Sequence, residues 1–248
     1  MARRKSLAFL DVGQGDCFVA DTKSGAIIFD GGSSSEDQVG RYRILPYMKY
    51  LGYQKIQIAV ISHMDIDHYS GIKELLEMGK IKYLGLPEIP KDETMKKIIG
   101  IAKKRGTTIF YLSRGRQITT KDGSLKVLHP QKNSQMEKNA ASLVMQGKTL
   151  GSRVLLTGDV EKEGEEELLS EELERADILK AAHHGSKNST SNEFLQKVQP
   201  KQTVISCGKQ NRYGHPHLET IHRLQTYRTK IYRTDRSGAI IFFKRRDG

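Results

Sequence analysis

The chain is 248 residues long and 37% hydrophobic, with 41 Lys and Arg against 29 Asp and Glu, a formal net charge of +12. That is enough to bury a core as one domain, residues 1–248, of two similar halves, and it excludes a bilayer-spanning helix, because no apolar run reaches roughly 18 to 20 residues. The basic start Ala2-Arg3-Arg4-Lys5 lacks the apolar run of a signal peptide, so the chain reads as soluble, without an address.

In chain order, residues 6–10 and 16–22 are predicted as strands around the turn Asp11-Val12-Gly13-Gln14-Gly15. A third strand, 26–29, ends in Asp30-Gly31-Gly32, where paired glycines allow close backbone approach and a carboxylate can orient a neighbouring ligand. A helix over 42–51 precedes an apolar strand, 56–62, and then His63, Asp65, Asp67 and His68 fall within six positions. Carboxylates crowded so closely repel unless a cation sits between them, so this strand end is the predicted metal site. A helix over 71–78 follows, with Ile72, Leu75 and Leu76 on one face.

Short strands at 82–86 and 107–111 flank a basic helix, 92–104, whose Lys96, Lys97, Lys103 and Lys104 read as a solvated face. Strands at 124–129 and 142–146 bracket a polar loop ending Asn139-Ala140-Ala141-Ser142. A strand over 153–157 stops at Gly158-Asp159, a second carboxylate at a second strand tip. The acidic stretch 161–174 is predicted as a helix with Leu168, Leu169 and Leu173 inward and its glutamates in solvent. An apolar strand, 178–182, ends in His183-His184-Gly185-Ser186, and a helix over 191–198 starts on the capping residue Ser191. After a strand at 203–207, the loop 208–217 carries Asn211, Tyr213, His215 and His217. A helix over 218–227 and strands at 230–234 and 239–244 complete the chain.

Charge is unevenly spread. Ten acids and two bases lie between Asp159 and Asp177, which leaves 39 bases against 19 acids, a net +20, elsewhere. Such an excess attracts polyanions, although a solvated surface uses the same residues. Few aromatics interleave the bases, so no base-stacking platform is expected. Cys17 and Cys207 read as small core residues, with one bridge or a metal contact as the alternative.

The ligand inventory is His63 and Asp65 for one position, Asp67 and His68 for a second, Asp159 as a bridge, and His183 or His184 to close. It fits two divalent cations about 3.5 to 4 Å apart, an arrangement that clamps attacking and leaving oxygens during displacement at phosphorus. No Ser or Cys nucleophile is then required.

These motifs resemble the metallo-β-lactamase fold superfamily: HxDxDH at 63–68, Asp30-Gly-Gly before it, Thr157-Gly-Asp159 after it, and a later His at a strand end. Within it, DVGQGD (11–16), SHMDIDH (62–68), NAASLVM (139–145), LLTGD (155–159), LKAAHHGS (179–186) and NRYGHPH (211–217) resemble, in order, the C-terminal hydrolase domain of ComEC-type competence proteins. The resemblance implies an αββα four-layer sandwich and a nuclease that degrades one DNA strand during uptake. It implies His63, Asp65, Asp67, His68, Asp159 and one of His183 and His184 as metal ligands, with Asp30 behind them. Asp67 and His215 become the catalytic residues, a His at the loop being able to protonate a leaving oxygen. Asn139, Ser142, Ser186, Asn211 and His217 would line the substrate side.

Asp65 and Asn139 stand where many relatives have His, so the first metal position is richer in oxygen; Mn²⁺ is therefore favoured over Zn²⁺, with Mg²⁺ also admitted. The implied partner is DNA, single-stranded in expectation, with no membrane contact from this chain itself. ComEC-type proteins carry membrane segments, so as an excised domain the chain would adjoin a membrane channel on the extracytoplasmic face; a freestanding relative would be cytoplasmic or of unknown location. Two rivals remain: hydrolysis of a small or surface-attached phosphodiester such as a phosphorylcholine ester, and a DNA-binding module with a structural metal. Salt separates the first rival, because counterion release makes only polynucleotide binding fall steeply with added salt.

Overall fold

The computed structural model describes residues 4–136, 139–170 and 173–244. Fourteen strands among them form two sheets. The first sheet opens with β1 (Ser6–Phe9), β2 (Phe18–Thr22), β3 (Gly25–Phe29), β4 (Ile56–Val60), β5 (Ile81–Pro87) and β6 (Thr108–Leu112). The second takes β7 (Gln117–Thr120), β8 (Gly123–His129), β9 (Val144–Thr149), β10 (Ser152–Leu156), β11 (Ile178–Lys180), β12 (Gln202–Ile205) and β13 (Lys230–Arg233). The last strand, β14 (Ile240–Phe243), returns to the first sheet beside β1. The orders are β14-β1-β2-β3-β4-β5-β6 and β13-β12-β11-β10-β9-β8-β7, two similar halves as expected.

Period-two alternation explains the layering, because successive side chains of a strand face opposite ways. In β1 and β3, Leu7, Phe9, Ile27 and Phe29 pack with Val127, Met145, Val154 and Leu156 between the sheets. Their neighbours Ala8, Ala26 and Ile28 face a second cluster with Ile44, Met48, Ile72, Leu75 and Ile98. Those residues come from a π-helical turn (Gly40–Ile44) running into α1 (Leu45–Tyr50), from α2 (Ile66–Glu77) and from α3 (Glu93–Lys104). On the far side, Leu155 and Leu179 meet Leu168, Phe194, Leu195 and Leu224 of α4 (Lys162–Leu169), α5 (Asn192–Val198) and α6 (Leu218–Thr226). Three apolar layers between four structural layers make the αββα sandwich.

Several expectations need adjusting. α2 begins at Ile66 rather than residue 71: Asp65 takes the extended N-cap conformation, so Asp67 and His68 sit on the first helical turn. The acidic helix stops at Leu169; Glu171 and Glu172, and the basic start Ala2-Arg3, lie outside the described residues. Glu165, expected in solvent, is 2% exposed, because its carboxylate accepts the backbone N–H groups of Thr190 and Ser191. The polar strand β7 was not anticipated. Ser191 caps α5 by accepting from Phe194 N at 3.2 Å, and Lys96, Lys97, Lys103 and Lys104 are exposed as expected. Cys17 and Cys207 are buried free thiols.

Candidate metal centre

Parallel strands β3, β4, β10, β11 and β12 end on the same edge of the sandwich, where an open α/β sheet places its ligands. β4 delivers Ser62 and His63, and the helix start beyond it delivers Asp65, Asp67 and His68. The chain after β3 packs against that start: Gly31 N donates to His68 O at 2.8 Å, and a Cβ on Gly32 would lie 2.5 Å from Ile66 O. The paired glycines are thus required by close approach, as the sequence indicated. Beyond the end of β10 the chain reaches Asp159 through Gly158 at φ +51°. β11 runs into His183 and His184, both left-handed at φ 47° and 53°. Two successive non-glycine residues there store backbone strain, which persists only where surroundings enforce it.

His68 and His184 define the interior. The His68 ring donates Nδ1–H to Asp30 Oδ2 at 2.9 Å, and Asp30 Oδ1 accepts from Ser62 N at 2.7 Å. His184 donates Nδ1–H to the Ser206 carbonyl at 2.9 Å. With both Nδ1 atoms committed, Nε2 of each ring turns toward Asp159, at 3.2 Å for His68 and 3.4 Å for His184. Asp67 lies 3.3 Å from His184 Nε2. The Nε2 atoms of His63, His68 and His184, together with Asp159 Oδ1, are buried without a hydrogen-bond partner. Unsatisfied buried groups are costly, and the His68 and His184 Nε2 atoms with the Asp159 carboxylate form a donor set that a divalent cation would satisfy in place of protons, with the His63 ring 4.1 Å from that of His68.

Lys180 and Asp16, to which sequence reasoning assigned no role, complete the inner wall. The Lys180 ammonium pairs with Asp16, lies 3.5 Å from Asp159 Oδ1 and donates to the Gly158 carbonyl at 3.0 Å. Its side chain is only 5% exposed. The available signal was a lysine inside the otherwise apolar strand end Ile178–Ala182, whose burial demands a counter-charge. Asp16, His68, Asp159 and His184 each offer an atom within 4.8 Å of the others. Asp16 nevertheless lies on the Nδ1 side of both rings, 3.8 Å from His68 Nδ1 and 3.5 Å from His184 Nδ1, and is held by Lys180.

These charges set the protonation states. Burial opposes ionisation of Asp159, but the His184, His68 and Lys180 charges outweigh it and hold the carboxyl well below its usual range. Asp16 is likewise drawn down to about 2 against the cost of burial, chiefly by Lys180. Burial alone would lower His68 and His184; Asp159 with Asp30, and Asp159 with Asp16, push them well above the ordinary imidazole value. Without a cation the site therefore holds protons where a metal would bind.

The remaining sequence-derived residues divide by position. His63 is buried, with Nδ1 3.0 Å from Ser62 Oγ and Nε2 3.6 Å from the half-exposed Asp65. His183 lies at the rim, bonded to Glu161 at 2.8 Å and 3.8 Å from Asp159, so of the two adjacent histidines it is His184 that joins the interior cluster. Ser142 is fully buried and accepts from Asp159 N at 3.3 Å; it steadies Asp159 rather than facing substrate. Ser186 is also buried, its hydroxyl accepting from Asn188 N at 3.3 Å. Asn211 spends its amide within its own loop, and His217 Nδ1 accepts from Lys187 N at 3.1 Å. Asn139 is half-buried beside Glu161 and Lys187 in a cleft of about 1250 Å³. His215 is partly exposed, its ring 5.5 Å from that of His183 and 6.1 Å from that of His184. Burial and those neighbouring imidazoles push His215 down to about 4.

A sandwich of this topology with clustered His and Asp at one edge is the fold of the metallo-hydrolases. The chain belongs to the metallo-beta-lactamase superfamily, whose family model matches residues 10–209. It is 37% identical to ComE operon protein 3 of Bacillus subtilis over 96% of its own length and 33% of that protein. It is 30% identical to Competence protein ComA of Neisseria gonorrhoeae, over 96% and 32%. These relatives carry the resemblance to ComEC-type proteins, and the chain spans about a third of their length. Among solved structures, the metallo-beta-lactamase fold protein YhfI of B. subtilis superposes with TM-score 0.63 at 13% identity over 95% of this chain and 99% of that one. Human tRNase Z, short form, gives 0.55 at 13% identity over 96% and 100%, a likeness of fold alone. Among the described residues no helix is long and apolar enough to cross a membrane.

Proposed function

We propose that the chain is one metal-dependent phosphodiesterase domain that cleaves DNA during competence-linked uptake. The observation that carries this is the approach of the His68 and His184 Nε2 atoms to Asp159, at 3.2 and 3.4 Å, with His63 Nε2 also buried without a partner. The competence names of the relatives and the net +20 outside the 159–177 segment support a polyanionic substrate. As part of a longer protein like those relatives, the domain would stand beside a membrane channel on the extracytoplasmic face.

In this reading His63, Asp65, Asp67, His68, Asp159 and His184 hold two divalent cations, Mn²⁺ preferred because half of these ligands are carboxylates. Bound cations would lower the pKa of water toward about 7 and polarise a phosphoryl oxygen. The protein's own part is orientation. Asp30 and the Ser206 carbonyl fix the two inner rings through Nδ1, and Ser142 and Lys180 fix Asp159. His215, whose ring lies 6.1 Å from that of His184, would offer an N–H or a proton to a phosphate or leaving oxygen.

The test is metal-stripped protein with end-labelled single- and double-stranded DNA, adding Mn²⁺, Mg²⁺ or Zn²⁺ separately. Cleavage is expected with Mn²⁺ above Zn²⁺, and Asp159→Ala should reduce it on the order of 10³-fold while circular dichroism is retained. Absence of cleavage with every metal sinks the nuclease reading.

A further inference from the structure

The loop between β12 and α6 is braced from within. Asn211 Nδ2 donates to the carbonyls of Gly208 (2.9 Å) and His215 (2.6 Å), and its Oδ1 accepts from Tyr213 N (3.2 Å) and His215 N (3.0 Å). One side chain thereby fixes the backbone that presents two rings. Tyr213 stacks on His215 with centroids 5.7 Å apart and planes at 21°. The Arg212 guanidinium lies over the Tyr213 ring, 4.9 Å from its centroid, and donates to the Tyr213 hydroxyl at 2.7 Å. Tyr213 is 43% exposed, whereas His215 reaches the rings of His183 at the rim and of His184 at the centre. A tier of flat groups, Arg212, Tyr213 and His215, therefore runs from solvent to the metal-ligating edge. The sequence hid it, because the rings align only when the loop closes around Asn211.

We infer that this tier is a stacking subsite for an unpaired nucleobase next to the phosphodiester bound at the centre. The inference rests on the phosphodiesterase reading and names the form of substrate it accepts. Aromatic rings and guanidinium planes are the surfaces on which splayed bases stack, and every base has a face to offer. An incoming base takes the place of Arg212 on Tyr213 or lies on the guanidinium plane, and both extend the same stack. In a duplex those faces are covered by neighbouring base pairs, so the subsite selects single strands. A quaternary ammonium, the cation that a phosphorylcholine substrate would place on an aromatic face, is disfavoured. It would have to sit where Arg212 already places a cation, near the exposed Lys187 and Lys209.

The experiment uses metal-stripped protein, so that binding is read without cleavage, and single-stranded oligonucleotides carrying 2-aminopurine or an abasic residue at successive positions. Tyr213→Ala should weaken single-strand binding on the order of 5- to 100-fold, with Tyr213→Phe near wild type. An abasic residue at one position should cost the wild type a similar factor and cost Tyr213→Ala nothing further. Equal affinity of Tyr213→Ala and wild type, no abasic effect at any position, or equal binding of duplex and single strand overturns the subsite. Cleavage of the same strands with Mn²⁺ is followed in parallel. Base-dependent binding without cleavage leaves the subsite standing and removes the nuclease reading; cleavage and binding untouched by Tyr213→Ala do the reverse.

Discussion

The inner wall of the centre and its outer rim use the same residue types under different constraint. His68, His184, Asp159, Asp16 and Lys180 are all 4% exposed or less, and each inner imidazole has its Nδ1 committed. At the rim, Tyr213 is exposed, Asp65, His183 and His215 are partly so, and their positions depend on loop bracing and on Glu161. A buried charge with its partner removed cannot be rescued by water, whereas a rim group can be. The inner wall should therefore respond to substitution through folding and metal affinity, and the rim through substrate.

Lys180→Met should show the largest difference, because it removes the charge that does most to hold Asp16 ionised in the interior and takes one of three cations from Asp159. A loss of about 3–5 kcal/mol is expected in chemical denaturation, with Asp16→Asn on top of it recovering most of that. A result within 1 kcal/mol of wild type would mean that the wall is wetter than it looks.

Metal affinity should rise with pH. His68 and His184 are raised in the metal-free protein and so carry protons at neutral pH that a cation must displace. Each released proton gives up to about tenfold per pH unit, lost as pH falls and levelling off above the raised pKa; the depressed Asp159 and Asp16 add no slope there. Calorimetry in buffers of different ionisation enthalpy counts the protons, and a count of zero contradicts the assignment. Asp30→Ala, which frees His68 Nδ1 and the ring's orientation, should weaken metal binding roughly 10- to 100-fold. The smallest effect belongs to the rim: Asn211→Ala should cost about 0.5–1.5 kcal/mol, read as a few-fold higher KM for DNA with kcat and metal affinity retained. A matching loss of metal affinity there would erase the distinction between wall and rim.

Much of this was legible in residue order. Alternation in β1, β3 and β10, the glycines after Asp30 and the cap at Ser191 are local, and the HxDxDH spacing announces its chemistry because crowded acids and imidazoles have few other uses. The start of α2 was misjudged because ligand side chains and a helix's first turn draw on the same polar residues. Glu165 was misjudged because its backbone partners, Thr190 and Ser191, are 25 residues or more away.

Residue order alone determined the alternation, the strand ends and the His and Asp side chains they carry, since periodicity and spacing are properties of neighbouring residues, while the four-layer sandwich followed from the resemblance of the motifs to a known superfamily. Tertiary structure decided which of His183 and His184 turns inward, that Lys180 and Asp16 close the wall, and that Arg212, Tyr213 and His215 align. Each of those depends on distances between segments far apart in the chain, set by how two sheets pack rather than by any local preference.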